Sequence, residues 1–199
     1  RIVTERTRCA MPETGIGMFP DVGGTYFLSR APDHVGVYLG LTGEQMNAAN
    51  TIYAGFADRL VYSDKLPDLL AEMCRRDYEG DALAQIDNLL KSYEVAPAPA
   101  DLSFMSTLIS DIFSKDSMEQ ITWGLEEQDS DWSNRTLAIL KQKSPTSLKV
   151  TLKAINIARG LTFDECMAQE YRIVLEIMKG RDFYEGTRAL IIEKDGQPN

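Results

Sequence analysis

The run Cys9-Ala-Met-Pro-Glu-Thr-Gly-Ile-Gly-Met-Phe-Pro-Asp-Val-Gly-Gly24 restricts this chain more than any other stretch. Pro12 and Pro20 lack a backbone donor and fix φ, so the run cannot be a helix interior or a central strand. Gly15, Gly17, Gly23 and Gly24 allow positive φ or close backbone approach. A stiff loop is expected, and it carries two acids, Glu13 and Asp21, each directly after a proline. Ile16, Met18, Phe19 and Val22 surround them with apolar side chains. Both carboxyls are therefore candidates for desolvation and a raised pKa, the usual preparation for acid–base or nucleophilic work. The plainer alternative has Asp21 as the N-cap of the following helix and Glu13 as an exposed loop acid. A capping Asp can also face a cleft.

Organisation changes near residue 63. Before it, Arg1 to Ala10 alternates weakly and reads as the last strand of a sheet. Asp21–Arg30 and Pro32–Gly40 read as short helices, with Gly40 as the stop. Glu44–Asn50 reads as another helix and Arg59–Tyr62 as a short strand. After it, the pattern is almost wholly helical. Asp64 can cap a helix with Leu66, Leu69, Leu70 and Met73 at helical spacing, and Leu83, Ile86, Leu89 and Leu90 repeat the pattern. A Pro/Ala linker spans Glu94–Asp101. Ser117-Met-Glu-Gln120 and Thr162-Phe-Asp-Glu165 resemble capping boxes. Ser144-Pro145 starts a helix that Gly160 ends, with Leu148, Leu152 and Ile155 on one face. Phe163, Met167, Tyr171, Val174 and Met178 line the next, and Asp182 can cap the last.

Composition excludes several functions. The 199 residues carry a formal net charge of −9, which argues against nucleic acid and against anionic membrane surfaces. No stretch of apolar residues is long enough for a membrane span. Three widely spaced cysteines, Cys9, Cys74 and Cys166, form neither a disulfide framework nor a zinc motif, and are expected as reduced, mostly buried thiols. The single histidine, His34, is better placed for surface or capping use than for a catalytic triad. Lys149 and Lys153 could meet phosphate, though a solvated face is the commoner use of such a pair. Trp123 and Trp132 read as helix-packing aromatics.

The motif AMPETGIGMFPDVGGTYFLSR resembles the signature of 3-hydroxyisobutyryl-CoA hydrolases, a branch of the crotonase (enoyl-CoA hydratase/isomerase) superfamily. Leu39-Gly-Leu-Thr-Gly43 with Ala54-Gly-Phe-Ala-Asp58 and Leu60-Val61 is similar to a stretch shared across that superfamily. Ser144–Lys153 and Asp182–Asp195 resemble the hydrolase branch. The resemblance implies an α/β, crotonase-like fold. This chain would be its mostly helical C-terminal part with one or two short strands: residues 1–62 ending the core and carrying the acidic site, residues 63–199 forming a helical region. Family members are longer, and their upstream half carries a Gly-rich turn that supplies an oxyanion-hole donor. The missing N-terminal half is therefore an expected partner.

The implied activity is hydrolysis of a short 3-hydroxyacyl-CoA thioester in valine breakdown, in a bacterial cytoplasm or a mitochondrial matrix. Glu13 would attack the thioester or activate water, Asp21 would hold the 3-hydroxyl or share proton transfers, and Gly23 and Gly24 would let the helix start approach the acyl end. No metal or redox cofactor is implied, since CoA arrives with the substrate. Relatives of this kind often assemble as trimers or hexamers, so a homo-oligomer is compatible. The alternatives are a hydratase or isomerase of the same superfamily, or a catalytically incomplete piece. Hydratases pair the Glu of this position with a second, upstream Glu that this chain does not show.

Overall fold

A computed structural model describes residues 1–198. In chain order its elements are β1 (Ile2–Val3), α1 (Gly24–Arg30), α2 (Val35–Thr42), α3 (Ala48–Tyr53), β2 (Arg59–Leu60), α4 (Leu66–Arg75), α5 (Ala82–Tyr93), α6 (Asp101–Phe113), α7 (Met118–Gln128), α8 (Asp131–Lys141), α9 (Pro145–Ala158), α10 (Phe163–Ile177) and α11 (Asp182–Thr187). Short 3-10 turns occupy Glu13–Ile16, Pro32–His34 and Ser63–Lys65. The chain divides into two compact units, one of Arg1–Cys9 with Met46–Ser103, the other of Ala10–Gln45 with the chain from Phe104 on.

In the first unit β1 and β2 pair in parallel, Ile2 opposite Arg59 and Val3 opposite Leu60. Val3, Ala57 and Leu60 form a small core under Ala48 and Ile52, and Val61, Leu69 and Leu89 form a second. The strand expected over Arg1–Ala10 is only two residues long. The chain turns after it, with the Thr7 N–H on the Thr4 carbonyl at 3.0 Å. Cys9 and Met46 then exchange backbone hydrogen bonds, which keeps Met46 extended and delays the helix expected from Glu44 until Ala48. Asn47 caps that helix by accepting the Asn50 N–H at 2.9 Å. Asp64 caps nothing, because it lies inside the 3-10 turn that precedes α4. Cys74 is exposed rather than buried.

The second unit is built around α2, whose sequence VGVYLGLT is buried along its whole length. A helix that is apolar on every side needs partners on every side. Here α1 and α9 pack on it and on each other. Glycine sets the distance: a Cβ at Gly36 would lie 1.7 Å from the Leu28 carbonyl oxygen, and one at Gly40 would lie 2.7 Å from Ile155 Cδ1. Gly40 is thus an interhelical contact. The helix stops instead at Gly43, with φ 68°, whose N–H closes on Leu39 O at 2.8 Å.

Several local signals act where they were read. Ser144 accepts the Ser147 N–H at 3.1 Å with Pro145 in the first helical position, and Leu148, Leu152 and Ile155 are buried. Thr162 and Glu165 cap each other's backbone reciprocally. Ser117 accepts the Gln120 N–H.

Others differ. On α10 the buried row is Cys166 and Glu170, while Phe163, Tyr171 and Met178 are exposed. Asp182 does not cap α11; its carboxylate accepts the Ser144 hydroxyl. Trp132 packs against Tyr38 and Phe113 as expected, but Trp123 is exposed. Helices α6 and α8 follow signals too weak to read: a Pro/Ala linker before one, and a Ser130–Ser133 reciprocal cap without the usual Glu or Gln before the other.

The α1–α2 contact gives a direct test. Gly36→Ala should cost about 1–3 kcal/mol or more through overpacking, lowering Tm by about 2–4 °C per kcal/mol. Gly160→Ala, with nothing within 4 Å of the new Cβ, should leave Tm unchanged or slightly raised. Equal Tm for the two variants in thermal unfolding would contradict the packing described.

Candidate active site

The two acids are mounted by a chain segment that closes on itself twice. Glu13 opens the 3-10 turn, and Thr14, fully buried, donates its hydroxyl to Leu41 O at 3.1 Å. Gly17, at φ 71°, ends the turn, and the Met18 N–H returns to Glu13 O at 3.1 Å. The Ser147 hydroxyl donates to Met18 O, and Phe19 is fully buried. Beyond Pro20 the Gly24 N–H bonds Asp21 O at 2.8 Å, making a second tight turn with Val22 at φ 54° and Gly23 at φ 85°. Val22 is 80% exposed. A β-branched residue in the left-handed region is a genuine outlier, and such strain gathers at functional sites.

Glu13 Oε2 is buried and, among the described residues, has no hydrogen-bond partner. A buried acceptor left open is unusual and points to a ligand or a proton that would complete it. Burial pushes the Glu13 carboxyl above its ordinary value, against a bond from its own backbone N–H, and the negative charge of Asp21 adds to the rise. Burial likewise raises Asp21, with the charge of Glu170 adding to it. The loop therefore does bring its acids into electrostatic contact, with both pKa values moved upward.

Asp21 is not the cap of α1. The N-cap position belongs to Gly23, which has no side chain. The free donors there go to Glu170 of α10: Gly23 N–H at 2.7 Å, Thr25 N–H at 3.0 Å and the Thr25 hydroxyl at 2.5 Å. Asp21 is thus left without a capping role. Glu170 was missed in the sequence because a glutamate within a helix reads as a surface residue, and nothing in the pattern marks a partner 147 residues away. Gly23 and Gly24 are buried; a Cβ on them would lie 2.9 Å from Phe163 Cε2 and 2.6 Å from Met11 Cε respectively. Their N–H groups are already engaged, so what they can offer a ligand is close approach.

Other candidates lie apart from this pair. His34 is half-buried at φ 60° with Nδ1 3.2 Å from Ser110 Oγ, and burial lowers its pKa. Lys149 pairs with Glu119 at 2.5 Å. A cavity of about 770 Å³ opens between α9 and α10, lined by Val150, Ala154, Ile157, Ile173 and Ile177 with Lys149, Lys153 and Arg172 among its polar residues. Neither acid lines it. Its wall is apolar and lacks the converging acid–base groups that mark a reacting site, so the acid pair is the better candidate.

Residues 1–199 match the family described as enoyl-CoA hydratase/isomerase, and the chain belongs to that family. Over 207 residues, all of this chain and 54% of the relative, it is 40% identical to 3-hydroxyisobutyryl-CoA hydrolase 1 of Arabidopsis thaliana. It is also 40% identical to the mitochondrial 3-hydroxyisobutyryl-CoA hydrolase of Xenopus tropicalis, over 98% of this chain and 51% of that protein. The chain spans about half the length of the curated relatives it matches. The crotonase-like fold expected from the motifs is borne out by solved structures. An enoyl-CoA hydratase from Rhodobacter sphaeroides superposes with a TM-score of 0.87 and 36% identity, over 100% of this chain and 56% of that one. A carnitinyl-CoA dehydratase from Mycobacterium thermoresistibile gives 0.88 and 32%, over 99% and 57%.

The raised Glu13 pKa has a consequence for stability. The folded chain holds that proton more tightly than the unfolded chain, so this contribution is complete below the ordinary glutamate pKa, about 4.3. It is lost as pH rises through the folded value. Glu13→Gln removes the ionisation. Its Tm relative to the wild type should therefore climb between about pH 4 and pH 7, each kcal/mol appearing as about 2–4 °C. A difference that stays flat or falls over that range would contradict the burial of this carboxyl.

Proposed function

We propose that this chain carries the acid half of an acyl-CoA thioester hydrolase, acting on 3-hydroxyisobutyryl-CoA or a close 3-hydroxyacyl-CoA. The observation that carries the reading is the open, buried Oε2 of Glu13 beside a second raised carboxyl on the same rigid loop. The names of the relatives supply the substrate class.

Thioester cleavage needs an activated oxygen at the carbonyl carbon and a proton for the departing sulfur. Glu13 is the nucleophile or the base. As nucleophile its carboxylate oxygen bonds to the carbonyl carbon, the C–S bond breaks, and the CoA thiolate takes a proton from Asp21, leaving an enzyme anhydride that water then opens. As base it takes a proton from the water that attacks. A pKa nearer the working pH improves either proton transfer, which suits the burial of both acids. Asp21 can alternatively hold the 3-hydroxyl. No metal or redox group enters these steps. The N–H groups of Gly23, Gly24 and Thr25 are all engaged, so the donors for the carbonyl oxygen come from elsewhere. This fits a site completed by a further part of a longer protein. Valine breakdown is the implied setting, in a mitochondrial matrix or a bacterial cytoplasm.

The second reading is a hydratase, favoured by the likeness to a solved enoyl-CoA hydratase. Incubating the purified protein with 3-hydroxyisobutyryl-CoA separates the two. Release of free thiol supports hydrolysis, and formation of a carbon–carbon double bond without thiol overturns it. Absence of both marks a piece that lacks the rest of its site. In an active protein Glu13→Ala should lower kcat by about 10²–10⁴. Single turnover in oxygen-18 water labels Glu13 only if the anhydride forms.

A further inference from the structure

Glu170 is 2% exposed, and its side chain faces donors only. Oε2 takes the Gly23 N–H, while Oε1 takes both the N–H and the hydroxyl of Thr25. Two of the three partners are backbone N–H groups, which can only donate, and the Thr25 hydroxyl donates as the third. The arrangement suits a carboxylate receiving charge-assisted bonds.

These bonds fall on the far side of the strained Val22–Gly23 turn, whose near side is Asp21. A turn of that geometry persists only when its surroundings over-determine it. The bond from Gly24 N–H to Asp21 O holds one end, and Glu170 holds the other. We propose that Glu170 is a positioning residue for the acid pair: from α10 it latches the turn that carries Asp21 and places a fixed negative charge behind it. The kinetic part of this proposal rests on the thioester reading above.

Glu13, Asp21 and Glu170 thus stand as three acids in series, each middle neighbour felt by the next. The other charged group of α1 is Arg30 at its far end, bonded to the carbonyls of Ala158 and Leu161 and stacked on Tyr26. The residues that α2 and α9 bury in this unit are apolar or hydroxyl-bearing, none of them charged. From α10 the other titratable group buried beside Glu170 is Cys166. On the other side of the acid loop, Lys143 Nζ comes within 3.3 Å of where a Cβ at Gly15 would lie. The negative charge of Glu170 favours a proton on Asp21, and that of Asp21 in turn favours one on Glu13.

Glu170→Gln tests this without removing the side chain. Carboxyl carbon-13 NMR on the purified chain should show the Asp21 titration midpoint move to lower pH in the variant. In the thioesterase assay the pH–rate profile should move the same way, with kcat down by about tenfold or more. A residue needed only for packing would lower Tm and leave the Asp21 midpoint where it was; that result overturns the proposal. If Glu170→Gln does not fold, Glu170→Asp decides: the charge stays but its reach shortens. Amide exchange at Gly23 and Thr25 should then quicken and kcat fall with little change in KM, whereas wild-type exchange and kcat would overturn it. A shifted Asp21 midpoint in a protein that forms a carbon–carbon double bond without releasing thiol would leave Glu170 in its role and sink the thioester reading alone.

Discussion

The loop that carries the acids is held by backbone lying on backbone. A Cβ at Gly17 would sit 2.5 Å from Asp182 O, one at Gly186 would sit 2.5 Å from the Ile16 carbonyl carbon, and one at Gly43 would sit 2.9 Å from Pro12 Cα. Three glycines in three parts of the chain thus remove the side chains that would otherwise force the loop outward. Connecting segments usually run over the surface and move. This one is packed like a core element, between the start of α11 on one side and the end of α2 on the other. Asp182 contributes through both its carbonyl, which abuts Gly17, and its carboxylate, which takes the Ser144 hydroxyl at the start of α9. The position of Glu13 is therefore a property of α2, α9 and α11 together. Changes in any of them will reach the site by displacement rather than by contact.

What could be read from the sequence divides along the same line. The caps at Ser144 and Thr162 and the buried face of α9 were legible because each is settled within one or two turns of chain. The stiff acid loop was legible because proline and glycine restrict the backbone wherever they stand. Asp21, Asp64 and Asp182 each precede a helix, and each was open to being read as its cap. None caps one, since the identity of a residue does not say where its side chain finds a partner. Gly40 and Gly43 look alike in sequence, but one makes room for Ile155 and the other turns the chain. The apolar row expected on α10 was displaced by one position for a related reason. Glu170 counts as polar in any periodic pattern, yet it lies on the buried row beside Cys166. The acid pair itself was visible in the sequence, but the third acid that supports it was not.

One buried carboxyl, Glu170, and two half-buried ones, Glu13 and Asp21, gathered together are an electrostatic cost that packing does not require. Apolar side chains of similar volume would stabilise such a region better. Val22 adds backbone strain at its exposed turn. Proteins that keep such features usually do so where function needs them, at some loss of stability. Surface ion pairs elsewhere in the chain, such as Lys179 with Glu176, are worth little either way. The concentration of cost at Glu13, Asp21 and Val22 is the physical argument for a site there.

The order of the acids also bears on what the site can do. Hydration of a double bond and hydrolysis of a thioester both call for one group that accepts a proton and one that gives it. In this loop the acids are ordered by position, since the charge of Glu170 raises Asp21 and the charge of Asp21 in turn raises Glu13. On the proposed reading, the open oxygen of Glu13 suits attack on an electron-poor carbonyl carbon or removal of a proton from the water beside it, and Asp21 suits the departing thiolate. The backbone donors at the start of α1 are taken by Glu170 and Asp21. On the proposed thioester reading, the charge that develops on the carbonyl oxygen then needs other donors, a consequence of how α1 is capped.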